Sequence, residues 1–209
     1  MEEIALSHPN LDHFSGVPAI LRHLDVERVT VNRYFLRRGE GTAERRLAGI
    51  VHKAGVPWKV TGDAPRVWIE EGVRFECLWP PADLEAYPVN DTSTVWRITY
   101  RGRSMLLTGD IEERAERALL QRGDLRADVL VLPHHGGLGP ASASFFQAVG
   151  ASVWIRSGST LPRHRRGTLE RLAGSGTVLM DTAEDGAVEV CVTESAFRVT
   201  SFRGSARLP

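Results

Sequence analysis

Six residues bring His8, Asn10, Asp12 and His13 together just after the short apolar run Ile4-Ala5-Leu6. Imidazoles and carboxylates crowded at the end of a strand are costly to bury unless something pairs with them. A divalent cation is the efficient partner, and nitrogen with carboxylate oxygen suits Zn²⁺ or Mn²⁺. His8, Asp12 and His13 are the candidate ligands; the competing interpretation is Asp12 as a helix cap beside two merely polar histidines. Three later clusters also fall at or soon after an apolar run. Asp110 follows Leu106-Leu107-Thr108-Gly109, where it could equally cap a helix beginning at Ile111. His134-His135 follows the apolar residues 129–132 and precedes Gly136-Gly137. His164 sits among Arg163, Arg165 and Arg166, in what reads as an exposed basic loop. In α/β sheets the strand ends on one side open into one crevice, so these four clusters are expected to form a single site.

The elements that would position them follow from periodicity. Residues 4–6 and 28–32 read as strands, and residues 15–24 as a helix with Val17, Ile20, Leu21 and Leu24 on one face and Pro18 in its first turn. Residues 41–54 form a second helix, closed by Gly55. Strands over 58–61, 67–69 and 73–79 are punctuated by Gly62-Asp63 and Glu71-Gly72, and residues 80–93 are a loop. Residues 94–100 and 104–108 flank Arg101-Gly102 as a hairpin, and residues 111–121 form an amphipathic helix with an acidic first turn. The unbroken apolar run 129–132 suits a strand covered on both faces. A helix over 142–149, a strand over 152–155, a helix over 168–173 and a strand over 177–180 follow, and residues 187–192 and 197–201 make a closing hairpin. Strands and helices interleave without a repeat or linker, which predicts one α/β domain over residues 1–209.

Composition narrows the classes of function. The 26 basic and 26 acidic residues cancel, so no global field draws the chain to nucleic acid or an acidic membrane, and any polyanion contact must be local. Cys77 and Cys191 lie far apart in apolar runs and are expected to be buried free thiols. No stretch approaches the ~20 apolar residues of a membrane span, and the N-terminus lacks a signal-peptide pattern. The chain does open abruptly on its richest motif, as a domain missing its first strands would.

His8-x-Asn10-x-Asp12-His13, then Gly109-Asp110, then Pro133-His134-His135-Gly136 resembles the metallo-β-lactamase superfamily. Within it the chain is most similar to the soluble hydrolase domain of the ComEC family of DNA-uptake proteins. Leu6-Ser7-His8-Pro9, Leu107-Thr108-Gly109-Asp110-Ile111-Glu112 and Ala127-Asp128-Val129-Leu130 carry that likeness. The resemblance implies an αββα sandwich lacking its first strands and one or two divalent ions. It implies metal ligation by His8, Asp12 and His13, a bridging carboxylate in Asp110, metal or phosphate contacts from His134 or His135, and a late ligand in His164. Asn90-Asp91-Thr92-Ser93 occupies the place of a family loop facing the same site, so Asn90 and Ser93, with Asn10, are expected on the substrate side. The implied activity is phosphodiester hydrolysis, of DNA during its uptake. Asp12 or Asp110 would hold the attacking water, and Arg163, Arg165 and Arg166 would grip the backbone. A membrane channel would be the partner, and through it the domain would be membrane-associated. The sequence also departs from the family: Asn10 replaces Asp or His, Gly137 replaces Ser, and Val131 replaces a common Lys. Those departures motivate an alternative, a non-catalytic module that binds nucleic acid or a partner. A small ester, lactam or thioester hydrolase is a third possibility on the same fold.

Overall fold

A computed structural model describes residues 1–35, 42–61, 66–84, 87–194 and 197–204. The chain runs β1 (Glu3–Ala5), α1 (Leu11–Phe14), α2 (Val17–His23), β2 (Arg28–Val31), α3 (Ala43–Lys53), β3 (Trp58–Val60), β4 (Arg66–Glu70), β5 (Val73–Trp79), β6 (Val95–Tyr100) and β7 (Arg103–Leu107). It continues through α4 (Glu113–Arg122), β8 (Val129–Val131), α5 (Ser142–Val149), β9 (Val153–Arg156), α6 (Arg163–Ala173), β10 (Val178–Asp181), α7 (Thr182–Asp185), β11 (Val188–Val192) and β12 (Phe197–Ser201).

Strands β1, β2 and β3 make a small parallel sheet. The large sheet has the order β10-β9-β8-β7-β6-β5-β4, with β7 to β10 parallel and β4 to β7 antiparallel. Alternation along the strands gives the large sheet two unlike faces. Leu106, Leu130 and Trp154 point to the outer face, where Ala115 and Leu119 of α4, Phe145 and Phe146 of α5 and Leu169 of α6 bury them. Val129, Val153, Ile155 and Met180 point the other way and pack on the β11-β12 hairpin through Val199. The remaining half of that inner face, with Trp68, Phe75, Trp96 and Ile98, looks across a cavity of about 480 Å³ at Glu3, Arg28, Thr30 and Lys59 of the small sheet. Val17 of α2 and Leu47 and Val51 of α3 close the small sheet's outer side over Val29 and Val31. Helices, sheet, sheet and helices form the expected αββα sandwich.

Most expected elements are present, and the differences have local causes. The helix expected over 15–24 is α2, and a separate short helix, α1, precedes it and contains Asp12 and His13, so that part of the motif is helical rather than loop. The basic segment expected as a loop is the first turn of α6, which starts at Arg163 after Pro162. Leu169 is the one residue of that helix that is fully buried, so its apolar period is weak on its N-terminal side. α7 had no apolar signal at all. Arg101 and Gly102 have φ of 49° and 75°, the paired positive values of a tight hairpin turn. Cys77 is buried as expected, but Cys191, on an outward position of β11, is exposed. Residue 41 and the expected Gly62-Asp63 turn lie outside the described residues.

Candidate metal centre

The centre lies beyond the ends of three strands, one from the small sheet and two from the large one. β1 leads into His8 and α1, β7 into Asp110, and β8 into Pro133-His134-His135, so the crevice beyond the carboxyl ends of these strands collects all three motifs. One ligand atom each from Asp12, His13, Asp110 and His135 lie within 4.8 Å of one another. His13 Nε2 is 3.2 Å from Asp110 Oδ2 and 3.5 Å from Asp12 Oδ2, and His135 Nε2 is 3.2 Å from Asp12 Oδ2 and 3.6 Å from Asp110 Oδ2. Donors that each sit about 2.0–2.2 Å from a common cation are separated from their neighbours by about 3.0–3.6 Å, and these four pairs fall in that range. His8 Nε2 flanks it, 3.8 Å from Asp110 Oδ2.

Hydrogen bonding makes the fit specific. Ser7 Oγ lies 3.1 Å from His8 Nδ1 and 3.4 Å from His13 Nδ1, engaging the rear nitrogens of both rings. Their Nε2 atoms are buried and have no hydrogen-bond partner among the described residues. His135 Nδ1 is 2.8 Å from the Ser157 carbonyl, which can only accept, so that nitrogen carries the hydrogen. With that hydrogen on Nδ1, the neutral form of the ring has its Nε2 lone pair facing two carboxylates, an arrangement that a cation resolves. Two imidazole nitrogens and two carboxylate oxygens suit Zn²⁺ or Mn²⁺.

Electrostatics follow from the same contacts. Burial, reinforced by His13, pulls the His8 pKa down to about 4, so this ring is neutral at neutral pH. The Asp110 carboxylate beside His13 raises that imidazole's pKa against the opposing effect of burial. For Asp110 burial acts upward, but the three imidazoles of His13, His135 and His8 outweigh it and hold the carboxyl below its ordinary range.

Asp110 is free to face the centre because another residue caps the helix after it. The buried Asp91 carboxylate accepts from the backbone N–H groups of Glu112 (2.6 Å) and Ala115 (3.2 Å), which open α4. Asp110's own N–H donates to Ser93 Oγ at 2.9 Å. Ser93, expected on the substrate side, is therefore fully buried and holds the strand end instead.

The other expected positions divide. Asn10 Nδ2 donates to Asn90 Oδ1 at 2.7 Å, Asn90 Nδ2 donates to Glu112 Oε1 at 3.1 Å, and Glu112 Oε1 lies 2.9 Å from His134 Nδ1. This chain of polar groups runs along the rim of the centre, and His134 belongs to it rather than to the four-donor group. His164 is exposed in the first turn of α6 and is also outside that group. Arg163 and Arg165 are exposed, whereas Arg166 is paired with Glu170 and Glu184. Beside His134 opens a cavity of about 480 Å³ lined by Ile111, Glu116, Gly137, Leu138, Ser142 and Arg165, among others. Ser7, Asp91 and Glu112 were not singled out from sequence. Ser7 and Glu112 adjoin singled-out motif residues, which was the available signal; Asp91 lay inside the loop that was.

The fold and this centre define the class: the chain belongs to the metallo-beta-lactamase superfamily, whose profile matches residues 2–159. Among curated proteins it is similar to ComE operon protein 3 of Bacillus subtilis, 23% identical over 193 residues, covering 90% of this chain and 24% of that one. It is also similar to Competence protein ComA of Neisseria gonorrhoeae, 26% identical over 194 residues, covering 90% of this chain and 25% of that one. The chain thus spans about a quarter of the length of these relatives. Among solved structures, the metallo-beta-lactamase fold protein YhfI of Bacillus subtilis shares the fold, with a TM-score of 0.54 at 10% identity over 86% of this chain and 73% of that one. No helix among the described residues is long and apolar enough to cross a membrane.

Proposed function

We propose that this domain is a metal-dependent phosphodiesterase acting on DNA. The observation that carries the proposal is the convergence of Asp12, His13, Asp110 and His135 on one point, with a cavity lined by their chain neighbours Ile111, His134 and Gly136. A bound Zn²⁺ or Mn²⁺ would supply Lewis acidity at a phosphoryl oxygen and lower the pKa of water. Asp12, with its side chain 63% exposed, is the carboxylate that substrate and solvent reach, so it orients the attacking water. Asp110, buried among imidazoles, keeps its charge directed at the centre. His134 and Arg165 line the cavity and meet the phosphate as it enters; Arg163, exposed two residues earlier in the same helix, adds a contact to the backbone.

DNA is named because the chain resembles a DNA-uptake family and a similar protein is named a competence protein; a membrane channel as partner is an expectation of that resemblance alone. The test is cleavage of single-stranded DNA by the purified chain with Mn²⁺ or Zn²⁺, comparing wild type with Asp12→Ala and His135→Ala. Loss of a ligand should reduce the rate at least about 100-fold. Equal cleavage by all three removes the proposal.

One observation favours a second function. Asn10, which offers an amide where related domains carry a carboxylate or imidazole, directs its Nδ2 at Asn90, which fits a module that binds nucleic acid or a partner without catalysis. Elemental analysis separates the two, since stoichiometric metal supports the enzyme and none supports the binding module. Turnover of an ester or lactam but no phosphodiester would instead point to a small-molecule hydrolase.

A further inference from the structure

We propose that Arg156 and Asp181, which have no place in the centre itself, are positioning residues that fix the orientation of His135. The inference rests on His135 being a donor to the centre.

Arg156 ends β9 and Asp181 ends β10, and the two are register partners across the parallel ladder. Both are buried, at 2% and 3% exposure. Arg156 Nη1 donates to both carboxylate oxygens of Asp181, at 2.8 and 2.9 Å. Its Nε donates to the His135 carbonyl at 2.9 Å, and its Nη2 donates to the Ser159 carbonyl. One guanidinium thus joins three segments: the edge strand β10, the backbone of His135, and the loop after β9. The next residue along, Ser157, offers the carbonyl that meets His135 Nδ1. His135 is therefore gripped at its backbone and at its ring by consecutive residues of one strand end.

His135 requires this. Its backbone has φ 54° and ψ 28°, left-handed values that a residue with a side chain adopts only when the surroundings impose them. The packing there leaves no slack. A Cβ added at Gly158 would meet Arg156 Nη2 at 3.0 Å and the His135 Cβ at 3.2 Å, and one added at Gly136 would meet Leu169 Cδ1 at 3.1 Å. A buried ion pair is weak evidence for stability, because apolar replacement of both partners is often neutral or stabilising. What apolar residues cannot reproduce is a rigid fork of donors on three acceptors, and lysine, a point charge on a flexible stem, cannot either.

The test compares wild type, Arg156→Lys and the double variant Arg156→Met with Asp181→Leu. Nitrogen-15 NMR of the metal-free chain reads the tautomer of the His135 ring, and Co²⁺ titration followed by visible absorption reads affinity and ligand field. Wild type should show a single Nδ1–H tautomer. Both variants should show mixed tautomers, a shifted Co²⁺ spectrum and affinity weaker by about 10- to 100-fold, the range for loss of support behind a metal ligand. The double variant also loses the cap that Asp181 gives the Ala183 N–H, so it should fold with a modestly lower thermal midpoint; the ring tautomer read in that folded protein separates orientation from stability and carries the test if Arg156→Lys fails to fold. An unchanged tautomer and unchanged affinity in a folded variant would overturn the proposal. If wild type binds no metal, the metal-centre assignment fails by itself, and the ring tautomer still decides whether Arg156 and Asp181 orient His135.

Discussion

Gly109 shows how closely the residues behind the centre are fitted. Its φ is 55°, and a Cβ there would lie 2.8 Å from Ser93 Cβ, 3.0 Å from Ser93 Oγ and 3.2 Å from Ser7 Cβ. Ser93 holds the Asp110 backbone and Ser7 holds the rear of His8 and His13, so one added methyl would push apart the supports of three candidate ligands. Gly109→Ala is expected to destabilise the fold by about 1–3 kcal/mol, from left-handed strain and overpacking together. Urea denaturation measures the loss, and metal titration should show weakened binding in the protein that remains folded. An unaltered urea midpoint would mean that the close approach relaxes without consequence.

Among the elements, α4 is the one whose placement decides the most. Its opening N–H groups are satisfied from a different segment, by Asp91 in the 3-10 turn Asn90–Thr92, while Trp79 Nε1 holds the Asp91 carbonyl at 2.6 Å. Burial raises the Asp91 pKa, opposed by those two N–H donors. Asp91→Ala leaves two buried donors without an acceptor and should cost about 2 kcal/mol. Asp91→Asn keeps one acceptor oxygen and should cost less. Chemical denaturation of the pair checks this, and equal losses would show that charge, rather than the cap, is what α4 needs. The same loop carries Asn90, so loosening it should also disturb the Asn10–Asn90–Glu112 chain along the rim.

On the scale of the whole molecule, ionisation and metal binding both couple to folding. Glu116, 1% exposed with Ser142 Oγ as its hydroxyl partner, has its pKa lifted by burial to about 7. Between the ordinary value of 4.5 and about 7 the folded carboxyl keeps a proton that the unfolded chain has released. Its contribution to stability is therefore complete below about 4.5 and is lost as the pH rises through about 7. Glu116→Gln should raise the thermal midpoint at about pH 8 and leave it nearly unchanged at about pH 4. A midpoint difference that does not vary with pH would refute the assignment. Added Mn²⁺ or Zn²⁺ should stabilise the chain with concentration, by about 2.7 kcal/mol at a hundred times the dissociation constant, and a chelator should reverse it. A midpoint indifferent to both would leave the four donors without a cation to hold.

By itself the sequence determined an α/β class and the motifs that seed the centre, because strand periodicity and crowded His and Asp residues are local signals; the αββα arrangement followed from the resemblance those motifs carry. The helix over Ser142–Val149 and the strand over Val73–Trp79 were legible to their end residues, since each carries a full period of apolar positions. Only the tertiary structure decided which polar residues serve the site. Asp110 could be a cap or a ligand until Asp91, 19 positions earlier in the chain, was seen to take the cap. Ser93 could face substrate until it proved to lie under Gly109. Arg156 and Asp181 carry no local motif, for a guanidinium bonded to three segments has no period along the chain. Such contacts come from the register of neighbouring strands, which the order of residues implies only once the sheet has formed.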